Sequence, residues 1–173
     1  VLSLQIKEVL NDWVFPILIA IVLALLINKF VFFNITVPTE SMYPTIKIGD
    51  RIIVTHIYNY DKLKRDNVIV FHSDELNEDL VKRLIGLPGD TVDVRSDGSV
   101  YVNNIKLNEP YILNNGGKSG IYKVPQGEYF FLGDNRSNSL DSRYWKDAYI
   151  PKSKIKGKAV YTIFPFKRWG KLK

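Results

Sequence analysis

Three stretches of this chain carry residue types suited to chemistry. In the first, residues 38–45 (PTESMYPT), Ser41 stands between Pro38 and Pro44. Proline fixes its own φ and restrains the residue before it. The serine hydroxyl therefore rides on a stiffened, non-helical segment, as a nucleophile requires. In the second, residues 80–85 (LVKRLI), Lys82 interrupts an apolar run. With a period of two, Leu80, Lys82 and Leu84 share one face of a strand, and Val81, Arg83 and Ile85 share the other. Burial among aliphatic groups disfavours an ammonium, and holding such an amine neutral near pH 7 costs about 4 kcal/mol. The third, residues 133–143 (GDNRSNSLDSR), is a loop dense in hydrogen-bonding groups directly after an apolar run. Asp141 and Arg143 are placed to pair, and the serines to orient a neighbouring amine. Each stretch alone also has a plain alternative: a proline-flanked loop, an edge-strand lysine in solvent, a solvated polar loop.

Composition removes several other chemistries. The 173 residues leave room for one compact domain and an appendage. There is no cysteine, so disulfides and thiol catalysis are excluded. Only His56 and His72 offer imidazole, and no metal site or cofactor is expected. Lysine and arginine total 24 against 18 acidic residues, a formal charge of +6. Much of the excess lies at Lys152, Lys154, Lys156, Lys158, Lys167, Arg168, Lys171 and Lys173, interleaved with Ile155, Phe164, Phe166 and Trp169. That pattern fits the surface of an anionic membrane at least as well as a nucleic-acid patch, and a solvated basic tail equally well.

The elements that must position these residues differ along the chain. Residues 13–27 (WVFPILIAIVLALLI) are uncharged, and after Asn28 and Lys29 the apolar character resumes through Phe33. A helix over 13–33 would span about 30 Å, enough for a bilayer core. Pro16 would fall in its first turn, Lys29 could snorkel to one interface, and Trp13 would anchor the other. A helix apolar all round is hard to bury in so small a domain. The residues that follow offer no A-x-A pair for its removal. The expected division is a flank over 1–12, an uncleaved membrane-spanning helix over 13–33 and a catalytic domain over 34–173. Flanking charges, Lys7 with Glu8 and Asp12 against Lys29 and Arg51, do not set its orientation. Beyond Pro38 the helical period disappears. Strands are predicted at 51–58, 68–72, 80–85, 91–95, 100–102, 129–132 and 158–164, with a hairpin turn at Asp97-Gly98 and a flexible loop at 114–120. The fold class expected is mostly β, an antiparallel sheet or barrel behind an N-terminal helix.

Taken together, PTESMYPT, then VKRLIGLPGD (81–90), then GDNRSNSLDSR, behind an apolar segment, resemble the bacterial type I signal peptidase family in content and order. The terminal GKAVYTIFP (157–165) is similar to that family's last strand, so the resemblance runs from the apolar segment to the C-terminus. It implies a membrane-bound serine endopeptidase, single-pass, with its catalytic domain outside the cytoplasm. Its partners would be the signal peptides of exported preproteins and membrane lipid, not nucleic acid. By the same resemblance Ser41 is the nucleophile and Lys82 the general base. The Thr39 hydroxyl and the Ser41 N–H form the oxyanion hole, Ser139 orients the Lys82 amine, Asp141 and Arg143 form a supporting ion pair, and Arg83 is structural. Substrate would lie extended along 80–82 and 38–41. Pockets lined by Val37, Pro38, Met42, Ile46, Leu80 and Val81 would admit small residues, giving an Ala-x-Ala preference. Lysine at position 82 resembles the prokaryotic branch. The short stretch between Lys82 and Gly133 lacks the inserted second domain of some relatives and is similar to the compact Gram-positive members.

Three rival readings remain to be weighed. Self-cleaving repressors share a serine–lysine centre and a related β fold, but no DNA-binding helix-turn-helix is present in this sequence. Penicillin-binding enzymes require S-x-x-K, and Pro44 occupies the lysine's place. A tethered binding domain would have no use for Ser41, Lys82, Ser139, Asp141 and Arg143 together. General or dedicated substrate range and oligomeric state stay open.

Overall fold

A computed structural model describes residues 10–172. Lys7, Glu8 and most of the flank assigned to 1–12 lie outside the described residues, as does Lys173. The chain divides into two compact units, Val1–Phe33 and Asn34–Lys173.

The described part of the first unit is helical. A π-helical turn, Leu10–Val14, leads into α1, Phe15–Phe30. Pro16 sits in the first turn of α1, where a helix has no partner for its N–H. The most apolar 18-residue window within residues 11–30 has a mean hydropathy of 2.3 and none of it is buried within the protein, so this face-less apolar helix has the length and composition to cross a bilayer. The helix stops three residues short of the expected end. Val31 N–H caps Ile27 O, and Phe32–Thr36 (FFNIT) form strand β1, because aromatic and β-branched residues suit a pleated surface better than another helical turn.

The second unit is built from two sheets. The larger takes the order β1–β2–β11–β3–β4–β9–β10, with β12 paired to β11. Its strands are β2 (Arg51–His56), β3 (Val68–Ser73), β4 (Glu78–Gly86), β9 (Glu128–Leu132), β10 (Ile150–Pro151), β11 (Ile155–Phe164) and β12 (Gly170–Lys171). The smaller sheet takes the order β7–β6–β5–β8, from β5 (Thr91–Val94), β6 (Val100–Val102), β7 (Ile105–Lys106) and β8 (Gly120–Lys123). All seven strands predicted are present, and the β5–β6 hairpin turns at Asp97-Gly98, with Gly98 at φ +80°.

Among the described residues, apolar clusters hold the sheets. One gathers Ile69, Phe71, Leu84, Phe131 and Trp145, with the Phe71 and Phe131 rings stacked 4.4 Å apart. Another gathers Ile85, Val92, Val100, Val102, Phe130 and Leu132. Adjacent residues of β4 (Leu84, Ile85) and of β9 (Phe130, Phe131) thus serve opposite clusters. Both strands are covered on two faces, which is why β9 reads as a continuous apolar run and β4 is apolar on either side of Lys82 and Arg83. The partner strand β3 fixes the register of β4, setting Ile69 opposite Lys82 and Val68 opposite Arg83. Residues 114–120, expected as a flexible loop, are tied down: Asn114 Nδ2 donates to Asn135 Oδ1, and Arg143 Nη1 donates to Gly116 O.

Candidate active site

The segment after β1 carries Ser41 out of the sheet and is bonded in place at its backbone. Asn135 N donates to Ser41 O at 3.0 Å, Asn135 Nδ2 to Glu40 O at 3.2 Å, and Ile46 N to Met42 O at 2.9 Å. Gly133 makes this approach possible. A Cβ there would lie 2.4 Å from Ser41 O and 2.2 Å from Ser139 Oγ, distances no side chain tolerates. Strand β4 brings Lys82 to the same place, and Lys82 Nζ lies 2.6 Å from Ser41 Oγ in a hydrogen bond. Both are nearly enclosed, Ser41 at 9% and Lys82 at 3% exposure. Thr39 Oγ1 sits 3.3 Å from the same serine oxygen.

The charges around the amine are arranged in two buried ion pairs. Asp141 accepts from Arg143 Nε and Nη2, both at 2.8 Å, and from Gly133 N at 3.0 Å. Asp134 accepts from Arg83 Nε at 2.7 Å and Nη2 at 2.6 Å, and also from the Thr45 hydroxyl. Bidentate, fully desolvated pairs of this kind fix geometry at least as much as they stabilise. Lys82 itself has no salt-bridge partner among the described residues. Burial lowers its amine to about 8, while Asp141, then Glu78 and Asp134, pull the other way.

A cleft of about 280 Å³ opens beside this centre between residues 35–39 and 78–82. Val37, Pro38, Met42, Leu80 and Val81 all line it. Ile46 does not; it has no exposed surface and is part of the core beneath, so the expectation that it lines a substrate pocket is corrected. One side of β4 is open here. The described pairs put β3 along β4 from Glu78 to Arg83, whereas β9 meets it only from Arg83 to Gly86. Among the described residues, no strand pairs with the second side of 78–82.

Of the residues singled out from sequence, the structure gathers Ser41, Lys82 and Thr39 within hydrogen-bond range, with Asp141 and Arg143 paired close behind. Ser139 is the exception. Its hydroxyl is buried against Gly133 without a hydrogen-bond partner, so the expected bond to the Lys82 amine is not made in this geometry. Sequence reasoning overlooked Asp134 and Thr45, which join the Ser41 segment to β4 through Arg83. It also overlooked Tyr111, whose ring lies 3.8 Å under the Arg83 guanidinium. The signal was present in the Gly133-Asp134 step, but its partner stands 51 positions away.

The family model for "Signal peptidase, peptidase S26" matches residues 10–164. A signal peptidase I of Bacillus licheniformis is 41% identical over 172 residues, covering 92% of this chain and 91% of that protein. Signal peptidase IB of Staphylococcus aureus is 37% identical over 180 residues, covering 92% of each. The crystal structure of a signal peptidase I from Enterococcus faecalis superposes with a TM-score of 0.51 at 34% identity, over 56% of this chain and 96% of that one. The chain belongs to the signal peptidase family, peptidase S26, and is a membrane-anchored serine endopeptidase with its β domain on the extracytoplasmic side.

Proposed function

We propose that the chain removes signal peptides from exported preproteins after Ala-x-Ala-like sites, with Ser41 as nucleophile and Lys82 as general base. The observation that carries this reading is the 2.6 Å contact between the Ser41 hydroxyl and a buried amine whose pKa is about 8. At pH 7 about a tenth of such amines are neutral, a population ready to accept the serine proton. Ser41 Oγ then attacks the scissile carbonyl. Its oxyanion is met by the Ser41 N–H and the Thr39 hydroxyl, and the Lys82 ammonium returns the proton to the departing amine. Water, deprotonated by Lys82, releases the acyl-enzyme. Asp141 with Arg143 holds the loop that carries Ser139, whose free hydroxyl can accept from the ammonium as it forms.

The cleft favours an extended peptide. The open edge of β4 at 78–82 supplies main-chain donors and acceptors for strand addition, and Pro38 and Thr39 flank the other side. Val37, Met42, Leu80 and Val81 leave shallow apolar room, so bulk is excluded more strongly than small residues are told apart. In the whole chain we assign 1–12 as flank, 13–33 as anchor and 34–173 as catalytic domain.

The test is cleavage of a preprotein bearing an Ala-x-Ala site by the full chain in detergent, with products mapped by mass spectrometry. A cut after the second alanine, abolished in both Ser41→Ala and Lys82→Ala, is expected. Cleavage surviving in either variant would show that the pair is wrongly assigned.

A further inference from the structure

A second cavity, away from Ser41 and Lys82, lies at the C-terminal end of the β domain. It holds about 600 Å³ and is lined by Thr45, Tyr111, Thr162, Arg168, Trp169 and Lys171, among others. Its cations are not all spent. Arg168 Nη2 donates to Thr45 O at 3.0 Å and to Asp50 Oδ2 at 2.9 Å, while its buried Nε has no hydrogen-bond partner among the described residues. Lys171 is exposed and has no salt-bridge partner among the described residues, and neither has Lys167. The nearby carboxylates are occupied: Asp50 by Arg168, Asp66 by Tyr111, and Glu109 by Arg136 and Tyr111.

Beside the cations stand large rings turned to solvent. Phe166 is 75% and Trp169 63% exposed, and their rings stack 6.3 Å apart, with Phe164 set edge-on to Phe166. Exposed aromatics packed on one another, next to unspent cations and a cavity, form a surface with both polar and apolar demands. A free inorganic anion would use the cations and leave the rings in water. A phospholipid satisfies both, its phosphate taking the planar guanidinium and the ammonium, and its glycerol and upper acyl carbons covering the rings.

We propose that this cavity binds the phosphate of an anionic phospholipid headgroup, held by Arg168 and Lys171 with Phe166 and Trp169 among the adjoining acyl carbons. The site is separate from the cleavage centre, and its test does not depend on cleavage.

The full chain in neutral detergent would be mixed with equal amounts of phosphatidylglycerol and phosphatidylcholine, and the lipids retained read by native mass spectrometry. The wild-type chain is expected to keep one phosphatidylglycerol in preference. Lys171→Glu and Trp169→Ala, both at exposed positions, should each cut that preference about tenfold without moving the thermal midpoint. Lys152→Glu, outside the cavity, should leave it intact. Arg168→Lys, which keeps the ion pair with Asp50 but loses the planar fork, should weaken it in between. Equal retention by wild type and Lys171→Glu would overturn the proposal, as would retention of both lipids alike. Displacement of the lipid by millimolar inorganic phosphate would mark a free-anion site and overturn the lipid assignment.

Discussion

Lys82 is the side chain whose chemistry depends most on its surroundings. Catalysis by its neutral form requires kcat/KM for a soluble peptide to rise about tenfold per pH unit below pH 8 and to level off above it. Glu78 stands exposed on the same strand and is, after Asp141, the main charge that opposes the lowering. Glu78→Gln should therefore move the midpoint of that profile to lower pH by a few tenths of a unit, as suits a solvent-screened charge. An unchanged or raised midpoint would count against Lys82 as the titrating base. Burial also gives the lysine a stability effect of definite sign. Its folded pKa, about 8, lies below the unfolded value of 10.5, so the unfolded chain binds the proton more tightly. The penalty is present in full below pH 8 and is relieved as pH rises from 8 toward 10.5. Lys82→Met should thus be inactive yet stabilised at pH 7, by on the order of 2 kcal/mol in a denaturant titration, and that gain should shrink by pH 10.

At the scale of elements, the site depends on how closely the loop after β9 can approach the Ser41 segment. Gly133→Ala would push a methyl group into the Ser41 carbonyl and the Ser139 side chain, neither of which can retreat. A loss of about 2–3 kcal/mol in stability, with cleavage abolished, is expected. A smaller effect falls on Gly117, at φ +97°, where a Cβ would meet the Arg143 guanidinium at 2.3 Å. These elements differed in how plainly the sequence announced them. Strands β3 and β9 were legible because burial on both faces makes them largely apolar runs, β4 because aliphatic pairs flank Lys82 and Arg83, and β5 and β6 because an Asp-Gly turn joins them. The strands β7, β10 and β12 are two residues each, too short to carry any period, and exist only because a longer neighbour offers an edge. Residues 114–120 read as loose because their restraint comes from Arg143, a contact no local pattern encodes. In the site, Ser41 and Lys82 were legible from type and setting, whereas Asp134 and Thr45 acquire meaning only when β4 and the loop after β9 meet.

The whole molecule joins two units with different sources of stability. The apolar helix satisfies its own backbone hydrogen bonds inside a micelle or bilayer, whereas the β domain rests on packed apolar clusters. Heating the detergent-solubilised chain should abolish near-ultraviolet circular dichroism and the strand signal while helical signal equivalent to about 20 residues persists. One cooperative loss of both would contradict that independence. Within the β domain, by contrast, no such separation is available, because β4 sets the lysine of the site and the arginine of a buried ion pair side by side, facing opposite ways. A slip of one residue in its pairing would bury a guanidinium that cannot shed its proton against Ser41 and leave Asp134 without a cation. Inheritance then has no intermediate to work with: an insertion or deletion in this strand yields not a folded but idle protein, only one that fails to fold. Among natural or laboratory variants of this chain, length changes in β4 should be missing from the membrane altogether, never present there as silent copies.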